Sequence, residues 1–144
     1  MLPTRQQIID GFNQGTERME QVASDLSEQD LNNAVYPGWT AKELLCHLAD
    51  GSQAARFFIA RAEQDQSGVS PDFDQDEYNE ARVAEWRDKP LSDLLAAFDR
   101  GTETSIEAIE SVSAELLAKQ VNPGGARRTL ATSYVTWRVI LSAT

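Results

Sequence analysis

Two adjacent side chains hold most of the chemical potential of this sequence. His47 is the only histidine and Cys46 the only cysteine. An imidazole can ligate a metal, carry a proton or simply pack, and a thiol becomes a nucleophile when a base sits beside it. The stretch PGWTAKELLCHLAD (37–50) reads as a turn followed by a helix. Consecutive residues of a helix point about 100° apart. Cys46 therefore does not pair with His47 as an activated nucleophile and reads as a semi-buried, inert thiol. Three readings of His47 stand side by side. It is a packed, hydrogen-bonded histidine at the edge of an apolar stripe, a binding or catalytic group that works without metal, or a lone metal ligand.

Other residues with chemical character are fewer. The run Asp72, Phe73, Asp74, Gln75, Asp76 has the alternation of a calcium loop, but such a loop needs glycine at its sixth position and a bidentate glutamate at its twelfth. Glu77 and Val83 stand there, so these charges read as solvated residues at a helix start, where the dipole favours them. Trp39, Tyr78 and Trp86 read as packing residues. Tyr134 and Trp137 are set apart, because a two-fold arrangement of the helices would turn them toward His47. His47, Tyr134 and Trp137 form the candidate ligand-binding set, and no catalytic residue is assigned. Arg127, Arg128 and Arg138 are rare cations near the end of the chain. The first two sit at a helix start, an unfavourable end for positive charge.

The elements that would position these residues are helical. Thr4 and Gln7 have capping-box spacing at the head of a helix over about 4–24, with Ile8, Ile9, Phe12, Met19 and Ala23 on one face. Residues 26–31 read as a turn or a single helical turn. Thr40 and Glu43 repeat the capping box, and Trp39 can staple onto Leu44. The helix they start keeps its apolar period to about Glu63. A long acidic crossover follows, with one amphipathic helix over about 74–87. A third main helix begins near Pro90, with Leu91, Leu94, Leu95, Phe98, Ile106 and Ile109 on its face. A fourth runs from about Ala126 to the end with Leu130, Tyr134, Trp137 and Leu141 inward. No segment alternates long enough for a substantial strand. The expectation is an all-α four-helix bundle.

The chain also repeats itself at an offset of 86. FNQGTE (12–17) lies over FDRGTE (98–103), and Pro37-Gly38 over Pro123-Gly124. Ten of 41 ungapped pairs (8–48 on 94–134) are identical, where composition alone gives roughly two or three. The reading is two helical hairpins, 1-2 and 3-4, packed as a pseudo-repeat. Mid-helix Gly15 and Gly101 then imply close helix approaches, and Ser133 is the counterpart of His47.

Composition bounds the rest. A chain of 144 residues has a one-domain length. Its 23 acidic and 13 basic residues give a net charge of −10, which argues against nucleic acid and anionic membranes as partners. No apolar run reaches the length of a membrane span, and MLPTRQQIID lacks a signal-peptide core. A soluble cytoplasmic protein is expected, without an internal disulfide or a multi-cysteine zinc site.

On GWTAKELLCHLAD and its frame the chain resembles the DinB-like superfamily. The stretch FDQDEYNEARVAEWRDKPLSDLLAAF resembles the middle of its ClbS-like branch. The resemblance implies an up-and-down four-helix bundle with a long crossover between helices 2 and 3. It also implies a metal site in which one histidine of helix 2, here His47, joins a pair of ligands four residues apart on the last helix. From Ala126 to Thr144 there is no His, Asp, Glu or Cys, so the site is incomplete and no cofactor is expected. The leading expectation is a small-molecule binder, or a metal-independent enzyme, acting around His47; the ClbS-like branch points to protection against an electrophilic toxin. The alternatives are a non-enzymatic module that self-associates, for example as a homodimer, and a metal-dependent thiol transferase that recruits Asp74, Asp76 or Glu77.

Overall fold

The computed structural model describes residues 1–36, 38–66, 68–121 and 128–129. Helix α1 (Arg5–Asp25) leads into a single turn, α2 (Glu28–Leu31). The strands β1 (Ala34–Tyr36) and β2 (Trp39–Thr40) form a small antiparallel hairpin. Then come α3 (Ala41–Gly51), α4 (Ala54–Glu63), the crossover helix α5 (Gln75–Trp86) and α6 (Leu91–Ser111). A second single turn, α7 (Ala114–Leu117), precedes the paired strands β3 (Gln120–Val121) and β4 (Arg128–Thr129). The architecture is the expected all-α bundle. Three of its four main helices are α1, α3 with α4, and α6; the fourth, expected after Ala126, lies outside the described residues. Among the described residues no helix is long and apolar enough to cross a membrane.

The repeat is structural. Helices α1 and α6 begin at 5 and 91 and end at 25 and 111; α2 and α7 begin at 28 and 114 and end at 31 and 117. Each pair keeps the 86-residue offset. Beyond that the two halves part company. Ala34 pairs with Thr40, whereas its repeat partner Gln120 pairs with Thr129. Between these paired residues the second hairpin therefore has three more positions.

Capping chemistry sets the helix starts. Thr4 and Thr40 each accept a hydrogen bond from the backbone N–H three residues on, while the Gln7 or Glu43 side chain returns the bond. The expected long second helix is broken. Ser52 and Gln53 stay in right-handed backbone; the Ser52 N–H still reaches the Leu48 carbonyl at 3.0 Å, but the Gln53 N–H turns to the Asp50 carbonyl at 3.3 Å, and the ladder breaks there. The Ser52 hydroxyl donates to the Ala49 carbonyl at 2.8 Å, a side-chain bond that competes with the helix. The apolar period survives across the break (Ala55, Ile59 and Ala62 are buried), which is why the pattern alone did not reveal it.

Helix α6 packs against α1, α3 and α4. One core cluster gathers Ile8, Ala55, Ile59, Ala62, Ile109, Val112 and Leu117. The other gathers Met19, Leu45, Cys46, Leu48, Ala49, Val83, Leu94, Ala97 and Phe98. A buried polar contact joins α6 to the break between α3 and α4, with Ser105 donating from Oγ to the Ser52 carbonyl at 2.7 Å. Gly101 sits there because a Cβ would lie 2.0 Å from Ser52 Oγ. The expected close approach is realised at this glycine. Its repeat partner Gly15 is also buried.

Candidate functional site

His47 sits in the middle of α3, half-buried. The helix is aimed by the Thr40 and Glu43 capping box, in which the Glu43 carboxylate accepts the Thr40 N–H at 2.8 Å. Trp39, just before the cap, lies with its ring centroid 5.0 Å from the imidazole at a 49° tilt. Trp39 and Leu44 pack against the same core cluster, so the tryptophan anchors the helix start and also flanks the histidine.

Positions 43, 47 and 50 share one face of α3, four and three residues apart. Two carboxylates thus bracket the imidazole along the helix. Both are engaged by arginines from the crossover. Arg82 of α5 donates from Nε and Nη2 to Asp50 Oδ1 at 2.8 and 2.6 Å. Arg87, the C-cap of α5, reaches Glu43 Oε1 at 2.9 Å. Arg82 also donates from Nη1 to Glu85 at 2.7 Å. The Asp50 and Glu43 side chains are only 15% and 16% exposed. Carboxylates so far from water need a counter-charge, and α5 supplies one to each.

The electrostatics follow from this packing. Burial pushes the His47 pKa below its ordinary value, and the Asp50 charge opposes the shift. The imidazole is therefore neutral at pH 7, one nitrogen able to donate and the other to accept. The Thr40 hydrogen bond, aided by Arg87 and opposed by burial, holds Glu43 below the ordinary carboxylate range. Burial raises the Cys46 thiol, and Cys46 is fully enclosed. It is an inert core thiol, more deeply buried than its sequence implies.

The donor set does not fit a resident transition metal. Zinc takes three or four protein ligands. Among the described residues no three His, Cys, Asp or Glu side chains come together to hold an ion. The residues outside that description include none of these four types. Asp74 caps α5 by accepting the Glu77 N–H at 3.0 Å, and Asp74, Asp76 and Glu77 are exposed.

Of the residues read from sequence as a ligand-binding set, the structure places His47. Tyr134 and Trp137 lie outside the described residues, as do Arg127 and Arg138. Tyr78 is exposed and stacks on Phe73 at 5.3 Å. Trp86 is partly buried against the second core cluster, with Lys89 Nζ 3.8 Å above its ring. Arg82 and Arg87 are what the sequence reading missed. Their partners stand 32 and 44 positions away along the chain, and no local pattern links them.

Comparison with known proteins places this geometry. A family model for the mycothiol maleylpyruvate isomerase N-terminal domain matches residues 12–140. No sequence among the curated proteins matches. A crystal structure of the mycothiol-dependent maleylpyruvate isomerase is similar over 96% of this chain and 58% of that one, at 14% identity and a TM-score of 0.77. The chain thus spans less than two thirds of that enzyme. YfiT from Bacillus subtilis, described as a probable metal-dependent hydrolase with an unusual four-helix bundle topology, is similar over 96% of this chain and 79% of its own, at 12% identity and a TM-score of 0.77. The colibactin self-resistance protein ClbS, solved with a dsDNA, is similar over 99% and 96%, at 14% identity and a TM-score of 0.69. Identities this low carry the fold alone, and that fold is the DinB-like bundle the sequence resembles.

Proposed function

The chain belongs to the mycothiol maleylpyruvate isomerase N-terminal domain family, and on that premise we propose that it binds a small molecule at the His47 face of α3, or transforms one there, without a resident metal. The observation that carries this reading is the commitment of both carboxylates around His47 to arginines of α5. Beside these ion pairs stands a half-buried neutral imidazole next to an indole. Such a pair offers a flat apolar wall and a hydrogen-bonding group that can also take up a proton. Asp50 is the nearby charge that stabilises the protonated form. Tyr134 and Trp137 are proposed as further walls of the same site. The net charge of −10 supports a small-molecule ligand over a nucleic acid, and we place the protein in the cytoplasm.

The single histidine makes the test direct, because its Cε1–H proton resonance belongs to one site. A panel of small-molecule fragments is titrated while that resonance is followed. The expected result is a saturable shift for a subset of fragments that is lost in Trp39→Leu. Fragments that bind elsewhere on the protein while none moves His47 would sink the reading.

A further inference from the structure

Asp50 stands on the same face of α3 as His47, three residues on, and its charge acts on the imidazole. Its placement is unfavourable on two counts. The side chain is only 15% exposed, and it lies in the last turn of α3, the end of a helix that disfavours an anion. Arg82 offsets the charge, but on one oxygen. Its Nε and Nη2 both donate to Oδ1, whereas the common arginine–carboxylate fork uses both oxygens. Among the described residues nothing donates to Oδ2. The only enclosed side-chain polar atom without a partner among those residues is Arg61 Nε, so Oδ2 is open to solvent. We infer that Asp50 is a ligand-binding residue of the His47 face, whose Oδ2 selects small molecules that carry a neutral hydroxyl or amide N–H on an aromatic body. The inference rests on the proposed small-molecule site and deepens it by naming what the ligand carries.

The neighbours of Asp50 set the class of ligand. The Trp39 ring, 5.0 Å from the imidazole, is a flat apolar wall that suits an aromatic body. Arg82 already supplies Asp50 with a positive charge, and an ammonium group would meet repulsion from that guanidinium. A neutral donor meets none, and its hydrogen bond to the carboxylate is charge-assisted. A methyl ether of similar shape has no proton to give and would cover Oδ2 without pairing it, which is the strong basis for rejecting an analogue. The two carboxylates differ in this respect. Glu43 is held through both oxygens, Oε2 by the Thr40 N–H and Oε1 by Arg87. Val83, next to Arg82, is buried in the core cluster shared with Leu45, Cys46 and Leu48. Asp50 is thus fixed between two packed helices, and little ordering is left for binding to impose.

The probes are phenol with anisole, and benzyl alcohol with its methyl ether, titrated into the whole chain and followed by the His47 Cε1–H resonance. In the wild type each hydroxyl compound is expected to bind at least about tenfold tighter than its ether, the effect of one hydrogen bond to a charged group. Asp50→Leu, close in size, should bind the two members of each pair equally. The ratio within one protein cancels any general loss of structure, so it reads the contact and not a merely structural role of Asp50. Equal binding of hydroxyl and ether in the wild type overturns the inference. So does a preference that survives Asp50→Leu, which would put the acceptor on another group. Benzylammonium binding more tightly than benzyl alcohol overturns the neutral class. Should Asp50→Leu fail to fold, Asp50→Asn keeps the shape without the charge; the preference should fall there, and an undiminished one overturns the inference. A wild type in which none of the probes moves the His47 resonance would instead remove the proposed site itself, so the two failures are distinguishable.

Discussion

Arg82 places two N–H groups on one oxygen of Asp50, at 2.8 and 2.6 Å, three residues along α3 from His47. That contact ties the acidic crossover to α3. It satisfies a carboxylate that is largely out of water. Arg87 and Glu43 repeat the arrangement one turn on the other side of His47. Helix α5 thus meets α3 both through apolar packing of Val83 and Trp86 and through these two ion pairs.

The hold of α5 should accordingly be sensitive to charge and salt. Cys46 shares its core cluster with Val83, so its reaction with an aromatic disulfide reagent reports opening of α5. In the wild type at low salt, labelling should be slow, because the thiol is enclosed and its pKa raised. Arg82→Gln/Arg87→Gln should speed labelling by roughly tenfold, the effect of about 1.4 kcal/mol on an opening equilibrium. Labelling at the wild-type rate in a folded double variant would show that apolar packing alone holds α5.

The His47 titration has a definite sign. Its folded pKa lies below the ordinary 6.5, with burial the largest cause. The unfolded chain therefore binds more protons between the two values, and stability rises with pH there. The His47 contribution is fully present above about pH 6.5 and is lost as pH falls toward the folded pKa. Asp50→Asn removes the charge that opposes the shift and should lower the pKa further. A histidine midpoint above 6.5 in the wild type, read from the Cε1–H resonance, would contradict the burial argument.

Gly101→Ala should destabilise the protein by about 2 kcal/mol, the usual cost of forcing a methyl into a packed interior. The added Cβ would meet Ser52 Oγ at 2.0 Å and Ser52 Cβ at 2.9 Å. Ser52→Gly in the same background should recover part of the loss. Denaturant unfolding of the four proteins in the cycle measures the coupling, and additive losses would place the clash elsewhere.

Ser105→Ala should cost about 1–2 kcal/mol, because it strands the buried Ser52 carbonyl without its donor. An unchanged urea midpoint would mean that the break between α3 and α4 is satisfied some other way.

How much of this was legible in the sequence follows from the range of each interaction. Capping boxes at Thr4 and Thr40, the crossover helix and the 86-residue repeat are local or periodic, and all appear as expected. The break at Ser52 was hidden because Ser52 and Gln53 keep right-handed backbone and the apolar period runs on. The strands are two or three residues long, too short for alternation to register. At the site, His47 was visible as a unique residue. The arginines were not visible. They reach α3 from another helix, and only the fold brings them there.

The central claim is that the His47 face works without a resident metal, and metal content tests it most directly. Protein purified without chelator is analysed for transition metals, and the His47 Cε1–H resonance is recorded before and after EDTA. The account predicts far less than one metal per chain and an unmoved resonance. One tightly held transition metal per chain, whose removal shifts the His47 resonance, would contradict it.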